Sequence, residues 1–357
     1  MGKSGFLVLE SGECFQGDWL GGEAQAGEVV FNTSHSGYSE VATDPSYFSQ
    51  IVVMTSSQQG NYGHQSNFEE SKIAHIKGFV CLEMQNTQRQ HDWCSYLVKN
   101  QVGVLSGLDT REIVLSLREQ GTQWGALLQA EDEAEATKLS TEIINKQKKA
   151  NEKDWAYVVS TKEPYVLKGK LESGPKVALI DYGVKENIKR ELLYRCSEIK
   201  VFPSRVSAEE VLSYNPNGIL LSNGPGDPKD IQVAVDTIKN LLGKKPMFGI
   251  CMGHQLLSLA LGADTYKLKY GHRGSNHPVR DELVNKIYIT SQNHGYSVSN
   301  ETLPSDVKVT HTNLNDNTVA GIFSAKYNCF SVQFHPENRP GPEDALMLFD
   351  EFVKKLL

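Results

Sequence analysis

Met247-Phe248-Gly249-Ile250-Cys251-Met252-Gly253-His254-Gln255 is an apolar strand that runs without a loop into a helical stretch reaching Leu261. Its Gly-x-Cys-x-Gly core has the form of a nucleophile elbow with sulfur in place of oxygen. Such a turn leaves no room for neighbouring side chains, hence the glycines. The helix that follows points its free N–H groups and positive dipole end at the thiol. Read alone, the five residues suit a buried structural cysteine between two packing glycines equally well, so the surroundings must decide. Upstream, residues 176–181, 198–202 and 218–222 are apolar runs without strict alternation, separated by helical stretches over 185–194 and 231–242. Apolar strands alternating with helices indicate a parallel sheet covered on both faces. Residues 175–357 therefore read as an α/β domain with a mostly parallel, doubly wound sheet.

In such a sheet the carboxyl ends of the strands share one edge, where ligands bind. Phe330-Ser331-Val332-Gln333-Phe334-His335-Pro336-Glu337 delivers a histidine and a carboxylate to that edge. His335 can serve Cys251 as general base and later protonate a leaving amine, with Glu337 orienting the imidazole. Alone, His-Pro-Glu would be a strand-ending turn; together with the elbow it completes a Cys-His-Glu triad. Leu221-Ser222-Asn223-Gly224-Pro225-Gly226-Asp227-Pro228 ends another strand at the same edge. A glycine amide from it, with the amide of Met252, would make a two-donor oxyanion hole. Ordinary turn chemistry is the plainer reading of that loop, and its position is what raises it.

The first half has a different texture. Residues 1 to about 130 are rich in Gly, Ser, Thr and Asn, with short β-type runs at 28–31, 50–54 and 78–82. A helix is expected from Thr110 to Glu119, with Ile113, Leu117 and Leu115 inward and Gly121 just past its end. This gives a strand-rich α+β domain over 1–150 and a connecting region over 151–174. Two domains also match a chain of 357 residues.

Composition narrows the function. An apolar fraction of 39% and a charged fraction of 22% fit a globular protein, and no apolar run approaches the ~20 residues that span a bilayer. The opening Met1-Gly2-Lys3-Ser4-Gly5-Phe6 has no signal-peptide core, and Phe6 stands where myristoylation wants Ser or Thr, so a cytoplasmic address is expected. A net charge of −7 with no basic run longer than Lys146-Gln147-Lys148-Lys149 argues against nucleic acid and for a small substrate. The 6 cysteines form no Cys-x-x-Cys pair, so neither a zinc site nor a disulfide framework is expected. His272 and His277 lie in a stretch, Gly271 to Pro278, that reads as a polar loop without the ligand spacing of a metal site. His254 and His294 read as structural or positioning residues.

Gly249-Ile250-Cys251-Met252-Gly253-His254-Gln255 with His335-Pro336-Glu337 resembles the triad-type, class I glutamine amidotransferases, which hydrolyse glutamine through a γ-glutamyl thioester. Stretches in the first half, including residues 27–34, Thr43-Asp44-Pro45-Ser46-Tyr47, Gly60-Asn61-Tyr62-Gly63 and Asp109-Thr110-Arg111, are similar to one branch of that family, the small subunit of carbamoyl-phosphate synthase. The resemblance implies Cys251 as nucleophile, His335 as base and Glu337 as orienting acid. It also implies a glutamine site drawn from Ser46, Gly224, Gly226, Met252, Gln255, Asn293, Gly295 and Tyr296. It implies a large subunit as partner, in a heterodimer or an assembly of heterodimers. ATP and a divalent metal would sit on that subunit, and no cofactor in this chain, which has no Gly-x-x-x-x-Gly-Lys-Ser/Thr loop. Met252, Tyr296 and Asn338 stand where Leu, Phe and a small residue are usual. Two other readings remain open at this point: a glutaminase serving a nucleotide or chorismate synthetase, and a docking module whose triad is vestigial.

Overall fold

The computed structural model describes residues 3–85, 92–150 and 153–357. Residues 1 and 2, which open the sequence pattern read for lipidation, lie outside the described residues, as do 151 and 152 at the expected domain boundary. The chain forms two compact units, Met1–Glu152 with Lys269–Arg273, and Lys153–Leu268 with Gly274–Leu357.

In the first unit seven strands close a barrel: β1 (Lys3–Leu9), β2 (Cys14–Gly21), β3 (Gln25–Asn32), β4 (Gln50–Met54), β5 (Gly78–Val80), β6 (Gly103–Ser106) and β7 (Gln123–Gln129), in the order β1-β2-β6-β5-β4-β3-β7. Alternation along the strands sends residues to two sides. Leu7, Leu9, Val29, Phe31, Ile51, Val53, Val80, Leu105 and Leu127 form one cluster that takes in Ile113 and Leu117 of the helix Thr110–Gln120. Drawing on strands all round a closed sheet, that cluster is the barrel interior. The intervening residues Val30, Val52, Phe79 and Val104 pack instead with Tyr38, Val41, Trp93 and Leu97. Phe6, Val8, Ala26 and Ala126 pack with Ala136 and Ile144 of the helix Glu133–Ala150. Helix Thr110–Gln120 departs from expectation at one residue: Leu115 is exposed, because it lies two positions from both Ile113 and Leu117 and so on another face. Gly121 ends the helix at φ 94°.

The second unit is built on a ten-stranded sheet. Its strands are β8 (Tyr165–Lys168), β9 (Lys176–Asp181), β10 (Glu198–Pro203), β11 (Gly218–Leu221), β12 (Met247–Ile250), β13 (Thr265–Asp281), β14 (Lys286–Val298), β15 (Val307–Asn313), β16 (Val319–Ser324) and β17 (Cys329–Val332), in the order β8-β10-β9-β11-β12-β17-β16-β14-β13-β15. Strands β10, β9, β11, β12 and β17 pair in parallel. β8 adds an antiparallel edge, and β16 begins an antiparallel extension beyond β17. Alternate residues of the parallel strands bury on opposite faces. Leu179, Leu220, Phe248 and Phe330 meet Ile188, Phe349 and Phe352 on one side, while Ile180, Ile219, Leu221 and Met247 meet Ile238, Leu256 and Leu257 on the other. Helices thus cover both faces of the parallel core.

Two stretches behave differently from their composition. The region expected as a connector carries a helix, Trp155–Val159, and the edge strand β8. Gly271 to Pro278, expected as a polar loop, belongs to the long strand β13. Its residues 269–273 cluster with the first unit, where Thr122 N–H donates to Lys269 O at 2.9 Å and Thr33 N–H to Arg273 O at 3.0 Å. Backbone pairing of this kind overrides the low strand propensity of Gly, His and Pro. Among the described residues no helix is long and apolar enough to cross a membrane, and no group of three His, Cys, Asp or Glu side chains could hold a metal ion.

Candidate active site

Cys251 caps the helix Met252–Leu261 with φ 53° and ψ −100°, a conformation that L-residues avoid. The surrounding backbone holds it there. Its N–H donates to Val332 O at 2.9 Å on β17, its carbonyl accepts from Gln255 N–H at 3.1 Å, and Gly253 N–H donates to Ser222 O at 2.9 Å. A Cβ at position 253 would stand 2.2 Å from Leu221 O, so only glycine lets the helix start this close to β11. Gly224 is constrained in the same way, its absent Cβ lying 2.2 Å from Tyr182 O. The helix therefore begins against the end of β11 with its first N–H groups, that of Met252 among them, lacking an intrahelical acceptor.

β17 delivers the rest. His335 N–H donates to Ser291 O at 2.9 Å, and its Nδ1 lies 2.7 Å from Glu337 Oε1. Both side chains are buried, as is Lys185, whose Nζ stands 3.0 Å from the same Glu337 oxygen. Lys185 Nζ also donates to Asn338 O at 2.6 Å, its backbone N–H donates to Asn223 Oδ1 at 3.1 Å, and Asn187 donates to Glu337 O. Burial opposes charge on the imidazole, but the carboxylate of Glu337 and the neighbouring sulfur of Cys251 outweigh it and raise the ring well above 6.5. Burial likewise opposes ionisation of Glu337, and Lys185 and then His335 reverse it, holding the carboxyl below its usual range. With Nδ1 engaged by Glu337, the ring's other nitrogen, Nε2, is left for Cys251, the neighbour that also raises the imidazole.

The sulfur has two further neighbours: Cys251 Sγ donates to Asn293 O at 3.5 Å, and Gln333 Nε2 donates to Sγ at 3.7 Å. Gln255 Nε2 donates to Tyr296 O at 2.9 Å and to Gln333 Oε1 at 3.1 Å. Thus Asn293 touches the sulfur directly, Gln255 is joined to it through Gln333, and Tyr296 through Gln255 in turn. Met252 follows Cys251 in the chain, Gly295 lies between Asn293 and Tyr296, and Gly224 and Gly226 lie on the loop after β11. Ser46 belongs to the first unit, in the turn Pro45–Tyr47, where its N–H donates to Asp44 Oδ1 at 2.8 Å. His254 is fully buried, its Nδ1 2.8 Å from Ser331 Oγ. Burial, with His311 nearby, pushes it down to about 3, so the ring is neutral. His294 braces β14 through Tyr296 O at 2.7 Å and Gln292 Oε1 at 2.9 Å. Sequence reasoning missed Lys185 and Gln333. A glutamine inside the apolar run Phe330 to Phe334 was a usable signal, because a buried amide must find partners.

Residues 178–355 match the family described as glutamine amidotransferase class-I. Residues 7–127 match the carbamoyl-phosphate synthase small chain, CPSase domain. A carbamoyl phosphate synthase small chain of Clostridium perfringens is 46% identical over 356 residues, 98% of this chain and 99% of that one. The chain belongs to the carbamoyl phosphate synthase small-chain family. A small chain of Caldanaerobacter subterraneus is also 46% identical, over 98% of this chain and 95% of the other. A carbamoyl phosphate synthase pyrimidine-specific small chain of Halalkalibacterium halodurans is 45% identical over 98% of this chain and 96% of that relative. Membership fixes the class of chemistry as a glutamine amidotransferase serving carbamoyl phosphate synthesis, and it disfavours the nucleotide and chorismate readings.

Proposed function

We infer that the small-chain glutaminase reaction runs in this chain through Cys251, His335 and Glu337. The observation that carries the reading is a cysteine held at φ 53° between a helix N-terminus and a buried imidazole–carboxylate pair. His335 relieves the thiol of its proton and the sulfur bonds to the γ-carboxamide carbon of L-glutamine. The amide N–H groups of Met252 and Gly224 would receive the oxyanion. Collapse breaks the carbon–nitrogen bond, the nitrogen takes the proton from His335 and leaves as ammonia, and a thioester remains. Water then attacks the thioester carbon while giving a proton to His335; glutamate leaves and the thiol is restored. Gln255, Asn293, Gly295 and Tyr296, with Gly224, Gly226 and Met252, are the residues we assign to glutamine.

The ammonia is assigned to a separate large subunit, joined to this chain in a cytoplasmic heterodimer or an assembly of heterodimers. ATP, its divalent metal and bicarbonate belong to that subunit, which makes carbamoyl phosphate. Arginine and pyrimidine synthesis are the proposed destinations, the second supported by the pyrimidine-specific name of the Halalkalibacterium relative. The test is glutamine hydrolysis by Cys251→Ser in the presence of the large subunit. Loss of ammonia release is expected; a wild-type rate would remove Cys251 from the reaction and favour the vestigial-triad reading.

A further inference from the structure

The sulfur's environment contains a donor that the triad does not use. Gln333 is buried and points its carboxamide at Cys251, with Nε2 3.7 Å from Sγ and Oε1 3.1 Å from Gln255 Nε2. An amide can be turned over at little structural cost, so its orientation has to be argued from partners. Here the partners leave no choice. Tyr296 O can only accept, which makes the Gln255 atom 2.9 Å from it the nitrogen. That same nitrogen faces Gln333, so the Gln333 atom meeting it must be the oxygen. Gln333 is left with its N–H₂ toward the sulfur. A chain of fixed polarity runs from Tyr296 O through Gln255 and Gln333 to Cys251.

The two polar groups on the sulfur favour opposite states. Asn293 O, 3.5 Å away, suits a thiol that still has its hydrogen and repels the anion. The Gln333 N–H gains strength when the sulfur becomes negative, as any donor to an ionised acceptor does. We propose that Gln333 is a further catalytic residue, an N–H donor locked by Gln255 that stabilises the sulfur of Cys251 as the attacking anion and as the group displaced from the thioester. The proposal rests on the glutaminase reading and adds a coupling to it. Since Gln255 is also assigned to substrate, a glutamine molecule that draws on Gln255 pulls on the group that fixes the sulfur's donor.

The test is the rate of iodoacetamide alkylation of Cys251 in the full chain, followed by mass of the Cys251 peptide from pH 6 to 10, for wild type, Gln333→Met and Gln333→Glu. Methionine keeps length and apolar bulk but donates nothing. Its profile is expected to shift alkaline, with a loss on the order of ten- to a hundredfold in rate at neutral pH, the worth of one hydrogen bond to a charged group. Glutamate still accepts from Gln255 but offers no donor when ionised and sets a negative charge against the sulfur, so it should lose at least as much. A purely structural tether for Gln255 predicts the reverse order, with Gln333→Glu close to wild type; that order, or superimposable profiles for all three proteins, overturns the proposal. Should Gln333→Glu unfold, Gln333→Met decides alone by its pH profile. Protection of wild-type Cys251 by glutamine is read in the same experiment: its absence would overturn the glutaminase reading, while intact protection with unshifted variants would overturn only the role of Gln333.

Discussion

Replacing Lys185 by methionine should destabilise the protein at neutral pH and spare it in acid. The ammonium is buried, 3.0 Å from an equally buried Glu337 oxygen, and donates to Asn338 O at 2.6 Å. Removing one member of such a pair typically costs ~3–5 kcal/mol, because the other charge is left in a poor dielectric. His335, 2.7 Å from the same carboxylate oxygen, remains as a counter-charge and argues for the lower end, about 3 kcal/mol. For a domain of this size that is a fall in Tm of roughly 6–12 °C. The sign with pH follows from Glu337, whose carboxyl is held below its usual range chiefly by Lys185 once burial is overcome. A depressed carboxyl contributes stability above its unfolded pKa, about 4.3, and loses it as pH falls through the folded value. Without Lys185 the carboxyl rises, so the gap between variant and wild type is widest at neutral pH and narrows on acidification. Denaturant unfolding at pH 7 and at steps of falling pH toward about 2, where the folded carboxyl takes its proton, measures both numbers. A gap under about 1 kcal/mol at pH 7, or one that does not narrow as pH falls below about 4.3 toward the folded value, would show that the pair contributes little.

Gly253→Ala places a methyl 2.2 Å from Leu221 O; separating the helix start from β11 should cost about 1–3 kcal/mol and slow Cys251 alkylation, and a variant with wild-type Tm and rate would mean the elbow relaxes freely. His335→Asn should lower glutamine turnover by about 10⁴-fold or more, as for other triad bases, measured as ammonia release. In wild type the imidazole is raised well above 6.5 by Glu337 and Cys251 against burial, so its cationic form persists through neutral pH; a break in the rate of glutamine hydrolysis near 6.5 would contradict that. Asp109→Ala removes the cap that accepts from Arg111 N–H at 2.9 Å and Glu112 N–H at 3.1 Å; a loss of ~1 kcal/mol is expected in denaturant unfolding.

The grouping of Cys251, His335 and Glu337 was legible because each of the three announces itself locally. Cys251 sits between glycines at a strand-to-helix join, and His335 and Glu337 end an apolar strand, so the parallel-sheet rule alone sends them to one edge. The barrel was not legible, since closure depends on which strand edges meet, and β1 finds β7 across most of the unit. Nor was β13, whose Gly, His, Arg and Pro are loop residues by propensity and become strand only through their pairing partners. Leu115 shows the limit inside a correctly read helix: apolar character does not set the face, and its neighbours at 113 and 117 do. Lys185 hides best of all. Beside Glu186 at a helix start it reads as a solvated charge, and lysine is so seldom buried that nothing in the sequence prompts the other reading.

That hidden lysine changes the charge balance of the site. A buried line of Glu337 and a protonated His335 is neutral overall, so its pull on negative charge at the sulfur is the local one of the imidazolium, which Cys251 in turn helps to keep charged. Adding Lys185, buried against the same carboxylate, leaves the line with one positive charge to spare. Burying net charge is costlier than burying opposed pairs, so the added lysine favours the negative charge that develops on the sulfur during the reaction. Lys185 and Gln333 then act on Cys251 from opposite ends, the lysine through the charge it forces on the line and the glutamine through an N–H aimed at the sulfur. The two effects separate experimentally: Lys185→Met should slow alkylation of Cys251 and destabilise the fold together, whereas Gln333→Met should slow alkylation with little change in unfolding. If the lysine variant lost stability but alkylated at the wild-type rate, the charge-balance argument would fail even though the ion pair stood.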